Sequence, residues 1–535
     1  MATIKNIFNI KNYTPKTWVL AFSLLCLSFS PILFNFIWGN HDWIPIQNGT
    51  ALNDGLIEGR ITQYIFAILF LEGKVLPILN TTLGFFVYCL SLIILSKYFF
   101  EFKNKNIIYT IIICTIATLP YICEIIYFQF IVLSQLFWTL TIVISLLFAK
   151  KATQKNPLLN TFLSTLFLLT SICGYPASSN LFITSTILYA LNLNSKNKDL
   201  KTITKKLIPF IINFLISFSI LYLAYNYMLK NEIMVNSYNN DTLTVIDAIK
   251  NIPYIIKNSI LSLIQPQPFF SLNFKIITFS IIVYFLISYL CTYSSLKDYI
   301  IRLSLILILF VGIKFSALLT RETASGYFAQ HDPIAFVLRT DFYSIPTLLM
   351  YGLLSLSNSK YKFNKNICYI FSILLLITNI NINLHYSKIQ FLGFKAELDL
   401  LNRIINRVQS NKNYIPQNFY TLIQTGEISL RSKYYIPQKY EKYGFYTLQT
   451  AFTRYWLTKD FYNFYLPYRF VLKGQSILPE FITPQLSDFI SNNSTIWPHP
   501  NSIYVDDKYI IITTALKEKN IMSEQFKKIK KDINL

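Results

Sequence analysis

Residues 17–38 read TWVLAFSLLCLSFSPILFNFIW, an unbroken run with no charged side chain. As a helix it is long enough to cross the roughly 30 Å hydrocarbon core of a bilayer. Lys5, Lys11 and Lys16 precede it. The run is too long for the apolar part of a cleaved signal peptide and has no small-residue cleavage site. It therefore reads as a signal anchor whose N-terminal side stays in the cytoplasm. Similar blocks follow at 76–99, 107–122, 130–149, 157–174, 178–194, 207–228, 274–293, 300–320, 340–358 and 367–385. The expected fold is an all-α polytopic membrane protein with about eleven transmembrane helices over residues 1–385.

Composition points the same way. The 535 residues are 53% hydrophobic and 14% charged, whereas soluble domains carry roughly 25% charged residues. The net charge of +22 does not imply a nucleic-acid partner, because the basic residues sit in short loops between apolar blocks, where they set topology. With the N-terminus inside, nineteen Lys and Arg residues fall on the inner side and eight on the outer side before residue 386. An odd number of crossings then leaves the C-terminus outside. The outer side holds loops 39–75, 230–273 and 321–339 and a tail, 386–535, of one-domain size. In the tail, Leu398, Leu401, Ile404, Ile405 and Val408 recur at helical spacing. Runs such as Tyr420–Ile423 and Tyr509–Thr513 look like strands. The tail is expected to be a small extracytoplasmic α/β domain, and its aromatic residues either form its core or stack on sugar faces. The seven cysteines lie in or beside apolar segments without metal-ligand spacing, and no P-loop or dinucleotide fingerprint occurs.

Chemistry concentrates in the first outer loop. It contains His41, Asp42, Asp54, Glu58 and Arg60 within about 20 residues, followed by the amphipathic stretch Ile61–Phe70, which suits the membrane interface. A carboxylate just above the bilayer can take a proton from an acceptor hydroxyl while a lipid-borne donor approaches from the membrane. A nearby arginine can hold a phosphate leaving group. The plainer reading is that outer loops are polar in any case and that Asp or Asn near a helix end commonly serves as a cap. Lys314 lies inside the ninth block, where it either snorkels outward or reaches a lipid phosphate. Arg321 and Arg339 flank the third outer loop, as anchors or as further phosphate contacts. Glu124 is either a second outer carboxylate or a loop residue. His41-Asp42 and His331-Asp332 could meet around a divalent metal, although the spacing matches no established metal motif. The expectation is therefore no cofactor and no resident metal.

The pattern also resembles a known family, the type-II Gtr glucosyltransferases that modify bacterial O-antigen, within the GT-C class of polytopic glycosyltransferases. In that family an acidic pair follows the first helix, and a Gly-Arg step later leads into an amphipathic segment. Here Asp42 stands at the acidic pair and Gly59-Arg60 at the second position. His41 or Trp43 replaces one acid, with Asp54 and Glu58 as further acids nearby. Cys173-Gly174-Tyr175-Pro176-Ala177-Ser178 is similar to the family's tyrosine-containing turn, with Pro176 where glutamine is common. Trp497–Ile503 resembles its closing Pro-containing segment.

The resemblance implies Asp42, Asp54 and Glu58 as catalytic candidates, with Arg60, Lys314, Arg321 and Arg339 toward the donor phosphate and His41 and Tyr175 beside them. It also implies an inverting transfer of a sugar, most often glucose, from a polyprenyl-phosphate donor. The acceptor would be a lipid-linked or surface glycan, such as the O-antigen of lipopolysaccharide, at the outer face of the bacterial inner membrane. Two rival classes remain open. A flippase for lipid-linked sugars would carry charges or broken helices near the bilayer midplane. A non-catalytic assembly protein would use its tail to bind a partner.

Overall fold

The computed structural model describes residues 15–35, 59–72, 74, 76–102, 107–126, 128–129, 131–196, 199–233, 245–264, 270–293, 295–316, 340–418, 420–425, 488–489 and 495–513. Their helices are α1 (Pro15–Ser28), α2 (Ile61–Leu71), α3 (Pro77–Ile94), α4 (Ile107–Ala117), α5 (Val132–Ala152), α6 (Pro157–Gly174) and α7 (Ser179–Ser195). They continue with α8 (Leu200–Lys230), α9 (Val245–Ile264), α10 (Leu272–Leu290), α11 (Leu296–Ile313), α12 (Ile345–Ser357) and α13 (Lys362–Gln409). The described residues divide into two compact units at Lys388/Ile389.

Local chemistry sets many of the helix starts. Pro77 and Pro157 open α3 and α6, where a missing N–H costs nothing and the fixed φ suits the first turn. Ser271 and Ser295 cap α10 and α11, each accepting a backbone N–H three residues on, at 3.2 Å. Six helices among the described residues are long and apolar enough to cross a membrane. They are α3 with the π turn Leu95–Phe99, α5, α6, α8, α10 and α13. Shorter apolar helices lie at Lys16–Ser28, Ile61–Leu71, Ile107–Ile122 and Ile252–Ile264.

The apolar blocks at 178–194, 300–320 and 340–358 appear as α7, α11 and α12. The block at 107–122 is not one continuous α-helix. It breaks after Ala117, and Pro120 opens a 3-10 turn through Ile122. The loop expected at 230–273 contains α9. Ile255, Ser259, Ser262 and Leu263 recur on one face and are buried. Ile252 and Ile255 pack with Val311 and Phe315, while Lys250 and Lys257 stay exposed.

Of the candidate spans, α5 is the most buried and α8 the most peripheral. Helix α5 packs along α3 and α6. Small polar residues tie these helices together, as they do wherever lipid removes the hydrophobic drive for helix association. Ser145 and Ser164 pair at 3.0 Å, Asn213 Nδ2 donates to Ser164 Oγ at 2.7 Å, and Thr165 donates to Asn213 Oδ1 at 3.1 Å.

In the second unit a three-stranded sheet runs in the order β1 (Thr421–Thr425), β3 (Tyr509–Thr513), β2 (Ile503–Val505). Strands β1 and β3 are parallel, with Thr421 opposite Tyr509. Strands β2 and β3 are antiparallel, with Ile503 opposite Ile512. Every residue of β3 is buried, as its unbroken apolar run requires. Arg407 at the end of α13 donates to the Pro498 carbonyl and lies 4.7 Å over the Trp497 ring.

Candidate functional site

One end of the helical unit gathers two polar groups, both built from the ends of elements. The first centres on Arg60. Gly59 takes a φ of 75°, a conformation glycine adopts without strain, and Arg60 then stands at the start of α2. Thr62 pins that helix by donating to the Thr170 carbonyl of α6 at 2.6 Å. Gly174 lies so close to the Trp138 indole that an added Cβ would fall 2.4 Å from it. Tyr175 follows in extended conformation. Its ring sits 5.3 Å from the half-buried Arg60 guanidinium, a cation–π contact. The Tyr343 ring is 6.0 Å further on, and its hydroxyl donates to Gln135 Oε1 at 2.7 Å.

The second group begins two residues before Tyr343. Asp341 is fully buried, as are Lys275 at 1% exposure and Lys314 at 4%. Lys314 Nζ donates to Asp341 Oδ1, and to Thr340 Oγ1 at 3.1 Å. Asn180, at the start of α7, donates to the Thr340 carbonyl at 3.5 Å and accepts from the Ser316 N–H at 2.8 Å. Lys275, in the first turn of α10, donates to the Ser262 carbonyl at 2.6 Å. Its ammonium lies over the rings of Phe270 and Tyr121, at 4.8 and 5.6 Å, within electrostatic reach of Asp341 and Lys314. Asp341 Oδ2, Tyr121 OH and Ser316 Oγ have no hydrogen-bond partner among the described residues. The set thus contains two amines and one carboxyl.

The opposite ends of the same helices carry a different arrangement. Arg302, 2% exposed, donates to Asp298 Oδ1 at 3.1 Å, to Thr292 Oγ1 at 2.6 Å and to the Tyr289 carbonyl. Asn194 donates to Asp298 at 3.0 Å and accepts from Tyr289 OH at 2.8 Å. Nearby, Lys150 donates to the carbonyls of Tyr98 and Phe99 at 3.0 and 2.9 Å and pairs with Glu101 at 2.6 Å. Lys196 reaches the other Glu101 oxygen at 3.2 Å. Partial burial pushes the Glu101 carboxyl up, and the two lysines more than reverse that, holding it below the usual carboxylate range.

Of the residues singled out in the sequence, Arg60 and Tyr175 are brought together, and Lys314 is an internal ion-pair partner of Asp341. Asp42, Asp54, Glu58, His41, Arg321 and Arg339 lie outside the described residues, as do His331 and Asp332. Glu124 falls in a short helix, Cys123–Ile126. Among the described residues no three His, Cys, Asp or Glu side chains gather as a metal site would require. Lys275 and Asp341 were not singled out by sequence. The available signal was their charge just inside the apolar blocks 274–293 and 340–358, where an ionisable residue is costly.

These helices, with charged groups buried at both ends, define a helical membrane protein. The family model for the glucosyl transferase GtrII matches residues 30–356. The chain belongs to the GtrII glucosyl transferase family, as the first loop and the Tyr175 turn suggested. No curated protein and no solved structure matches it. Membership gives glycosyl transfer as the activity class. The matched region contains Asp42, Arg60, Tyr175, Lys275, Lys314 and Asp341.

Proposed function

We propose that the protein transfers glucose from a polyprenyl-phosphate donor to a lipid-linked or surface glycan, such as O-antigen, at the outer face of the bacterial inner membrane. The observation that carries this reading is the family match across residues 30–356. The Arg60–Tyr175 pair at the head of an apolar helix supports it, because an arginine at such a position suits a lipid-borne phosphate. In this reading eleven spans put the N-terminus in the cytoplasm and the 386–535 domain in the periplasm.

The reaction is one inverting displacement. An acceptor hydroxyl oxygen attacks the anomeric carbon while the bond from that carbon to the donor phosphate oxygen breaks. The electron pair leaves on the polyprenyl phosphate. Asp42, assisted by Asp54 and Glu58, takes the hydroxyl proton. Arg60, with Lys314, Arg321 and Arg339, offsets the charge growing on the phosphate. His41 and Tyr175 orient the neighbours of these groups. No cofactor or metal enters.

The test is glucosyl transfer from radiolabelled polyprenyl-phosphate glucose in membranes containing the protein, paired with mass spectrometry of surface glycans. Loss of one hexose from the glycan on deleting the gene is expected. Asp42→Asn is expected to stay inserted and lose transfer, and full activity in that variant would remove Asp42 as the base. Movement of labelled lipid-linked sugar across liposomes with no new glycosidic bond would replace the transferase with a flippase.

A further inference from the structure

We propose that Lys275, Lys314 and Asp341 form a buried seat for the phosphate group of an isoprenyl phosphate, with Asp341 as the internal counter-ion that holds Lys314 in place. The inference rests on the donor class given above and names where its phosphate is received.

All three side chains are withdrawn from water, at 1%, 4% and 0% exposure. Burying a charge is tolerable when a partner of opposite sign accompanies it. Asp341 meets that need for one amine only. It engages Lys314 through Oδ1, while Oδ2 has no hydrogen-bond partner among the described residues. Lys275 faces a carbonyl and two aromatic rings, none of which carries a formal charge. A closed structural ion pair needs no second amine, and an apolar protein interior does not retain one without cost.

The neutral groups around the amines fit an anion as well. Tyr121 OH and Ser316 Oγ are buried hydroxyls without a partner among the described residues, and each can donate to a phosphate oxygen. Five separate elements supply the set: the turn after α4, the ends of α9 and α11, the start of α10 and the segment that leads into α12. A site assembled from so many element ends is held by the fold rather than by one mobile loop. Two amines and two hydroxyl donors in one buried set suit the three or four oxygens of a phosphate. An aliphatic alcohol, a sugar or a zwitterion would leave the second amine unbalanced.

The experiment measures binding of tritiated farnesyl phosphate to the purified full-length protein in detergent, with farnesol and inorganic phosphate as competitors. Farnesyl phosphate should bind, inorganic phosphate should compete more weakly, and farnesol should not compete. Equal affinity for inorganic phosphate would overturn the lipid-linked part of the proposal. Lys275→Gln should weaken farnesyl phosphate binding by about tenfold or more, the loss of one charge-assisted hydrogen bond. Asp341→Asn keeps an amide oxygen that can hold Lys314 but removes the competing internal negative charge, so it should lower the melting temperature of the empty protein and yet tighten farnesyl phosphate binding. A merely structural cluster predicts instability without tighter binding. If Lys275→Gln does not fold, Lys275→Arg and Asp341→Asn carry the test, the first keeping affinity within about threefold.

Unchanged affinity in Lys275→Gln, or weaker binding in Asp341→Asn, would overturn the seat. Binding that depends on Lys275 in a protein that transfers no glucose would keep the seat and overturn the transferase reading. Undiminished transfer in Lys275→Gln would keep the transferase and overturn the seat.

Discussion

Helix α11 has a buried cation at each end, Arg302 near its start and Lys314 just after its last residue. Twelve residues of helix separate them by roughly 18 Å. Arg302 is surrounded by a closed set in which a carboxylate, a carbonyl and a hydroxyl each take a guanidinium hydrogen. Lys314 belongs to a set with one amine more than its carboxyl can match. The difference teaches which buried charge is structural. A completed network needs nothing further and fixes the packing of α7, α10 and α11. An incomplete one stays costly until something arrives.

The sharpest way to break the comparison is Arg302→Met. It leaves Asp298 without its guanidinium in a mostly buried setting and should cost about 3–5 kcal/mol, read as SDS- or heat-induced unfolding in detergent. A cost below about 1 kcal/mol would show that the closed network is no more than a surface pair. Next in size is Gly174→Val, which drives a side chain into the Trp138 ring and should cost about 1–3 kcal/mol through overpacking. Gly174→Val should also lower transfer by displacing Tyr175, measured per folded molecule against Leu158→Val on the exposed face of α6.

Arg60→Ala gives up the contact with Tyr175 and about 0.5–1 kcal/mol of stability, with a larger fall in transfer than in melting temperature. Equal falls would make Arg60 structural only. The smallest effect lies at Glu101, about half of whose side chain is exposed. Its carboxyl is depressed when folded, so its contribution is present above the ordinary value near 4.5 and is lost as pH falls through the lower folded value. Glu101→Gln should flatten that part of the stability–pH curve by less than about 1 kcal/mol. A variant curve that superimposes on the parent would remove the Lys150–Glu101–Lys196 bridge as a contributor.

Much of the fold was legible because lipid imposes a simple rule on sequence: long apolar blocks separated by basic loops. The helix breaks were less so. Pro120 ends the fourth helix early, and α9 has an amphipathic pattern that resembles a loop when hydropathy alone is averaged. Arg60 and Tyr175 stood out because short motifs carry them. Lys314 stood out because a charge inside an apolar block is rare. Lys275 and Asp341 are harder to read, since each sits only a residue or two inside its block. Their meaning is a tertiary fact: Lys275, Lys314 and Asp341 are far apart in sequence and meet only when α10, α11 and α12 pack. Asp42, Asp54 and Glu58 lie outside the described residues, and their catalytic role is part of the proposal.

The first half of α13 has a consequence for how the molecule is made. Asn379 and Asn383 on α13 donate to the carbonyls of Thr115 and Thr118 at 2.9 and 2.8 Å, and Tyr386 donates to the Cys123 carbonyl at 3.1 Å. More than 250 residues lie between these partners. While the ribosome is still translating the middle of the chain, α4 and the turn after it have no α13 to meet. The bundle can therefore close only after nearly the whole membrane unit has been inserted. A nascent chain stalled before residue 379 should remain open along that seam, exposed to insertion chaperones and membrane proteases.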